Sequence, residues 1–347
     1  MHLFLQEIHE QPQAVRATAG YLSSPEGRAA LDAVAKRWHE GAYERVVVTG
    51  MGSSFFIGEA FAIFCNRNGI PAFCINAGEL LHYGQAIIDR KTMLLAISQS
   101  GESYETVKLI ETCRHEREAI VALTNAPDSR LARLSGHVLL TKAGSERMTS
   151  TKTFITAWQT ACSLALTLCR ESVPESLWEE MASGIETLLS RTDVREVAAS
   201  LAPLPFLSFS ARGTDMAAAR QSALMCMEAL HLPATALCGG DFRHGPLEMA
   251  GPGKALVVLT SSASPTYAQS RHLAQDFLRF GGSVVWVSDQ ALPKQEGLWF
   301  LPIPAVPAEL ALIPAIIPLQ LLVCAIADIK GILPGDFHHG GKVTSIE

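Results

Sequence analysis

The chain is short of charge, and the charge it has is scattered. Asp, Glu, Lys and Arg make up 18% of the 347 residues, and the net charge is −6. No stretch forms the basic stripe or tail that nucleic-acid binding requires, so no nucleic-acid partner is expected. The eight cysteines include no CxxC pair and mostly sit in apolar stretches; they read as buried thiols of a reducing compartment. The first residues, MHLFLQE, lack a basic region followed by an apolar core. No secretory signal is expected there, and the expected location is cytoplasmic. The one long apolar stretch, 310–327, contains Pro314, Pro318 and Gln320 between Glu309 and Asp328. It is expected to be a buried helix, not a membrane span. There is no GxxxxGKS or GxxxxGKT, and the Gly50-x-Gly52 pair lacks a later glycine, which disfavours nucleotide binding.

What the chain does have is apolar residue, 48% of the total, over a length that suits two domains. Low surface charge also suggests that further area is covered between subunits. Residues 4–40 carry helical spacing, with a helix start at Ser23-Ser24-Pro25-Glu26. From there short apolar runs recur at 45–49, 71–76, 92–97, 119–124 and 137–141, spaced widely enough for helices between them. A second series follows at 203–209, 233–237, 255–260, 283–288 and 298–303. Strands alternating with helices imply parallel sheets covered on both faces, an α/β sandwich. The segment 154–192 reads as helical and polar enough to cross from one sheet domain to the other. In outline the two series repeat each other, but "SQSGESYET" in the first becomes "SSASPTYAQ" in the second. One ligand site per chain, in the first half, is the simplest expectation.

Gly52-Ser53-Ser54 and Ser98-Gln99-Ser100-Gly101 each fall where a strand ends and a helix begins, the place where open parallel sheets bind ligands. Backbone N–H groups at a helix start, the helix dipole and clustered hydroxyls suit a phosphate dianion; the plainer alternative is that these residues only cap helices. A third run, Thr149-Ser150-Thr151-Lys152-Thr153, opens another helix and offers further donors. In the second half Glu228 lies among Leu224, Met225, Cys226, Met227, Ala229 and Leu230. A carboxylate in such a stretch either finds partners or has its pKa raised, as a general base near neutrality requires. His244, in "GGDFRHGPLE", is a suitable proton carrier. The paired His338 and His339 lie on a glycine-rich tail with no third ligand in sight, so no metal is expected.

These motifs together resemble the sugar isomerase (SIS) family: the isomerase half of glucosamine-6-phosphate synthase and stand-alone amino-sugar-phosphate deaminase/isomerases. The carriers are GMGSS, SQSGE, "AGSE" with "TSTKTF", "ALMCMEALH" ahead of "FRHGPLE", "IPLQLLVCAIADIKG" and the closing "KVTSIE". The resemblance implies two tandem SIS domains, with a helical segment at 1–40, a first domain at 41–185 and a second at 186–347 that includes a catalytic tail. It further implies that Gly52, Ser53, Ser54, Ser98, Gln99, Ser100 and Ser103 hold a sugar phosphate. Thr106 would support the loop, and Ser150 would lie near the sugar hydroxyls. Glu228 matches the base that moves a proton between C1 and C2, and His244 the ring-opening histidine supplied by a neighbouring subunit. Lys342 matches a lysine that forms an imine with the ketose. No cofactor is implied, and at least a dimer is.

The sequence also departs from the synthase pattern. No glutamine-hydrolysing domain is evident, Met225 stands where the synthase has a lysine, and His338 falls near a usual arginine. The expectation is an enzyme converting a 6-phosphorylated amino sugar, such as glucosamine 6-phosphate, to the ketose phosphate and ammonia. The alternatives are a deglycase of a phosphorylated fructose-amine and a sugar-phosphate-binding sensor without turnover.

Overall fold

A computed structural model describes the whole chain except residues 192, 336, 338, 340, 343 and 345–347. The chain opens with helices α1 (Leu3–His9), α2 (Gln11–Ser23) and α3 (Pro25–His39). Ser24 caps α3 as expected: its hydroxyl accepts from the Gly27 N–H at 3.1 Å, and Pro25 fills the first helical position, where no N–H is needed. Strands and helices then alternate through β1 (Arg45–Gly50), α4 (Ser53–Arg67), β2 (Ala72–Asn76), the short α5 (Ala77–Glu79) and β3 (Thr92–Ile97). They continue with α6 (Tyr104–Thr112), β4 (Ile120–Thr124), α7 (Arg130–Leu134) and β5 (His137–Leu140). Helices α8 (Lys152–Leu168), α9 (Glu175–Leu189) and α10 (Val194–Leu201) precede the second series. That series runs β6 (Leu207–Ala211), α11 (Met216–Leu230), β7 (Ala234–Cys238), α12 (Gly239–Phe242), β8 (Ala255–Leu259), α13 (Tyr267–Arg279), β9 (Ser283–Ser288), β10 (Leu298–Pro302) and α14 (Leu312–Lys330).

The fold class is the α/β one expected, with two five-stranded parallel sheets. Their orders are β2-β1-β3-β4-β5 and β7-β6-β8-β9-β10, so the two sheets share one topology. Strand positions agree with the apolar runs within a residue or so, except β6, which starts at Leu207 and not at 203. Pro203 and Pro205 lack the N–H that a ladder needs, so pairing begins only beyond them. All six residues of β3 are buried, as a strand covered on both faces demands.

By contact the chain divides into two compact units. One comprises Glu10–Ala182 with the described residues of His339–Glu347; the other comprises Met1–His9 with Ser183–His338. The boundaries expected near 41 and 186 follow the sequence, whereas contacts group α2, α3 and the tail with the first sheet. In that unit Val47, Leu94, Ala96, Ile120 and Ala122 of the sheet pack with Leu109 and Ile110 of α6. The expectation of a polar crossing at 154–192 does not hold for α8. This helix is buried along most of its length, with Trp158 inaccessible, and it packs against α2, α3 and α4. In the other unit Leu256, Val258, Val284 and Trp286 pack with Leu273 and Phe277 of α13. An 18-residue window within Ala308–Lys330 has a mean hydropathy of 2.5 and is 94% buried, so the apolar stretch is a core helix, as expected. All eight cysteines are free thiols; burial pushes Cys226 and Cys324 up to about 12 and Cys65 upward as well, which makes them unreactive.

The second unit also buries an acid. Asp215, just beyond β6, is 5% exposed, and its Oδ1 has no hydrogen-bond partner among the described residues. Burial first, and the nearby Asp289 second, push its pKa up to about 7 from 3.8. The folded state therefore holds a proton that the unfolded chain releases near pH 4. Stability falls as pH rises between these two values and levels off above pH 7. Asp215→Asn should cancel this fall: its advantage in melting temperature over the parent should grow from pH 4 to pH 7 in a thermal-shift series, then stay constant.

Candidate active site

The candidate site lies at the carboxyl edge of the first sheet. Gly50 ends β1 close against the neighbouring strand: a Cβ there would meet the Ile97 carbonyl oxygen at 2.8 Å. Gly52 follows with φ +49° and leads into α4, whose first residues are Ser53 and Ser54. Both serines, together with Gln99, Thr124, Thr141 and Ser150, line a narrow cleft that Ile97, Leu123 and Phe154 also border. The two serine loops expected from sequence thus share one cleft with the third small-polar run.

The loop after β3 is held in shape by its own hydroxyls. Ser98 Oγ accepts from the Gly101 N–H at 3.1 Å and lies 3.2 Å from Ser103 Oγ, while Ser100 Oγ accepts from the Glu102 N–H at 3.1 Å. Gly101 turns the chain at φ +64°, and a Cβ there would sit 2.1 Å from Ser129 Oγ. Glu102 fixes the far side: its Oε1 accepts from the Arg130 N–H at 2.7 Å, at the start of α7. Ser98, Ser100 and Ser103 do not line the cleft and serve this internal network. Thr106 is fully buried, and its Oγ1 has no hydrogen-bond partner among the described residues, so the support seen for the loop is packing.

Two features of the helix starts differ from the expectation of free donors. The Tyr104 N–H, first in α6, donates to the Thr344 carbonyl of the tail at 3.1 Å. At α8 the donors are taken by Glu146, whose side chain is inaccessible to solvent. Its Oε1 accepts from Thr151 N–H at 2.9 Å, Thr151 Oγ1 at 3.1 Å and Thr153 N–H at 3.2 Å. Its Oε2 accepts from Thr153 Oγ1 and from the Lys342 ammonium, each at 2.5 Å. A carboxylate here satisfies the orphan N–H groups and complements the helix dipole. Lys342 also donates to the Met148 carbonyl at 2.6 Å and to Ser150 Oγ at 3.3 Å, so the structure does bring Lys342 to Ser150.

Glu146 and Asn125 were not singled out from sequence. Asn125 ties the loops together: Oδ1 accepts from Thr141 Oγ1 at 3.0 Å and Ala143 N–H at 2.8 Å, and Nδ2 donates to the Gly144 carbonyl at 2.7 Å. Its N–H donates to the Gln99 carbonyl at 3.1 Å. The available signals were an Asn directly behind an apolar strand and a Glu five residues before a threonine-rich helix start.

Glu228 and His244 belong to the other compact unit. Glu228 is half-buried on the last turn of α11, between exposed Met227 and buried Ala229; Met225 is fully buried. His244 is exposed, on the turn between α12 and Pro246. Of the paired histidines, His339 is exposed and His338 lies outside the described residues. The same holds for Val343 and residues 345–347 of the closing motif.

The second sheet has a counterpart to the cleft edge. Gly50 pairs with Asn76 as Ala211 pairs with Cys238, which aligns Gly52-Ser53-Ser54 with Gly213-Thr214-Asp215. Ser98 N–H donates to Leu123 O as Thr260 N–H donates to Val287 O, which aligns Asn125 with Asp289. Two neutral groups of the first edge are thus acids in the second. Ionised acids repel a phosphate dianion, which makes the second edge the poorer place for one.

Residues 42–165 match the SIS domain family, so this part of the chain is an SIS domain. The whole chain aligns at 28% identity with the isomerizing glutamine–fructose-6-phosphate aminotransferase of Pyrococcus horikoshii, covering 58% of that protein. The chain thus spans about half the length of the curated relatives it matches. Its fold is similar to the C-terminal domain of glucosamine-fructose-6-phosphate aminotransferase from Francisella tularensis, with TM-score 0.81 and 20% identity over 97% of this chain and 98% of that one. It is also similar to glucosamine-6-phosphate deaminase from Thermotoga maritima, with TM-score 0.75 and 22% identity over 98% of each chain.

Gly101→Ala forces a side chain into Ser129 at a left-handed backbone position. The variant should lose at least about 2 kcal/mol of stability, measured by urea unfolding, whereas Gly253→Ala, with the same sign of φ and open space around it, should lose less.

Proposed function

We propose that the chain is a sugar-phosphate isomerase and deaminase, converting a 6-phosphorylated amino sugar of the glucosamine 6-phosphate kind to the ketose 6-phosphate and ammonia. The observation that carries this reading is the cleft at the carboxyl edge of the first sheet, shared by Ser53, Ser54, Gln99 and Ser150. Hydroxyls and helix starts at such an edge suit the phosphate end of a sugar. In this reading Ser98, Ser100 and Ser103 keep the loop in its binding shape.

The chemistry then needs one group to open the ring and one to move a proton between carbons. His244 opens the pyranose by shuttling the proton of its ring oxygen and anomeric hydroxyl. Glu228 takes the C2 proton of the open-chain amino aldose, and its return to C1 leaves a ketimine. Water adds to the ketimine carbon, and ammonia departs. In this reading, as the resemblance implies, His244 is supplied by a neighbouring subunit and the active species is at least a dimer; the exposure of His244 is compatible with that role. Buried, unreactive thiols fit a reducing, cytoplasmic setting.

A general base contributes ~10²–10⁴-fold. Glu228→Gln should therefore lower ammonia release from glucosamine 6-phosphate by that factor while leaving sugar-phosphate binding, measured by calorimetry, nearly unchanged. Ammonia release at the parent rate in this variant would sink the assignment. A panel that adds 6-phosphorylated fructose-amines distinguishes the outcomes: released amine in place of ammonia marks a deglycase, and binding without any product marks a sensor.

A further inference from the structure

Arg212 stands directly behind β6, at the carboxyl edge of the second sheet. Its guanidinium lies over Gly239 and Gly240: a Cβ would come to 3.0 Å from Arg212 Nε at the first position and to 3.5 Å from Nη1 at the second. Nε is covered from solvent and has no hydrogen-bond partner among the described residues, and no carboxylate among them pairs with the guanidinium. A charged donor so placed is costly unless something accepts from it. Its open end lines a pocket of about 340 Å³ with Arg243, Gln269, His272, Gln275 and Asp276. Asp276 does not neutralise the pocket. Its Oδ2 pairs with Arg243 at 2.8 Å and its Oδ1 with Arg279 at 3.0 Å, which leaves Arg212 without a counter-charge among the described residues.

We propose that this pocket is a second binding site, for a small oxyanion: the phosphate or carboxylate end of a metabolite, held between Arg212 and Arg243. A guanidinium presents its N–H bonds in a planar fork that matches two oxygens of such a group, and hydrogen bonds between a charged donor and a charged acceptor are the strong ones. Gln269 and Gln275, both exposed on α13, offer neutral donors at the rim. The acids of this edge are placed elsewhere. The units β6-α11-β7 and β8-α13-β9 cross the sheet in opposite directions, so right-handed crossovers put α11 and α13 on opposite faces. Asp215 leads into α11, whereas the pocket is built against α12 and α13; Asp289, behind β9, accepts from the Ser262 N–H at 2.7 Å. The site is separate from the cleft of the first sheet and does not depend on the reaction proposed there.

The test does not require turnover. The full-length protein is treated with limiting phenylglyoxal, and modification of each arginine is followed by peptide mass spectrometry. With inorganic phosphate at about ten times its dissociation constant, ~10 mM for a millimolar site, modification of Arg212 should slow about tenfold, while that of exposed Arg67 should not change. Malonate takes the place of phosphate in a parallel series: protection by phosphate alone marks a phosphate site, and protection by malonate alone a carboxylate site. Gln275→Glu, checked for a parent-like unfolding transition, brings a negative charge to the pocket and should abolish the protection of Arg212 by either anion. Equal slowing of Arg212 and Arg67, no protection by phosphate or malonate, or undiminished protection in the folded variant would overturn the proposal. An Arg212 that is inert without added anion and reacts only after dilution to monomers would also overturn it, because a carboxylate of a second subunit would then fill the pocket.

Discussion

One buried carboxylate organises the candidate site. Glu146 collects donors from two threonines at the start of α8 and from a lysine 196 positions away in sequence. Burying a charge is costly unless it is paired and fully hydrogen-bonded, and Glu146 meets that condition with five partners. The consequence is geometric. Ser150 and Thr153 can line the cleft only because the segment between them is pinned to one point, and the tail is pinned to the same point. Asn125 plays a smaller, uncharged version of this part between the loops after β3, β4 and β5.

The two sheets show how far one topology can be turned to different electrostatic ends. Both place small groups and a left-handed glycine behind their second-position strand, at Gly52 and Gly213. Around the first stand Ser54 and Asn125; around the second, Asp215 and Asp289. The backbone scaffold is shared, but a phosphate placed at the second edge would face a group that already resists ionising.

Much of this was legible in the sequence, for reasons that are local. Strands buried on both faces read as continuous apolar runs, which is why β1, β3, β4 and β9 fell where expected, and β6 was misplaced only where two prolines sit in an apolar run. The pairing of the two serine loops followed from each standing behind a strand. The rest depended on contacts distant in sequence. Nothing near Lys342 announces Glu146 or Ser150, and a threonine-rich helix start looks free until its acceptor is seen. Polar Thr, Gln and Ser residues in 154–192 suggested a surface, yet in α8 Thr160 and Gln159 find buried carbonyl partners at Leu140 and Val15, which lets the helix enter the core. His244 and Glu228 remain readings by motif, each on its own element of the second unit.

The tail contact carries a consequence for the order of folding. Thr344 and Lys342 join a unit whose sheet and helices lie within Glu10–Ala182, so the whole second series is synthesised before they exist. Closing so long a loop is entropically expensive at the outset and adds little more once both ends are already ordered. The nascent chain can therefore complete its first sheet, cleft residues included, while Glu146 still waits for its cation. The lysine is set in place at the close of folding.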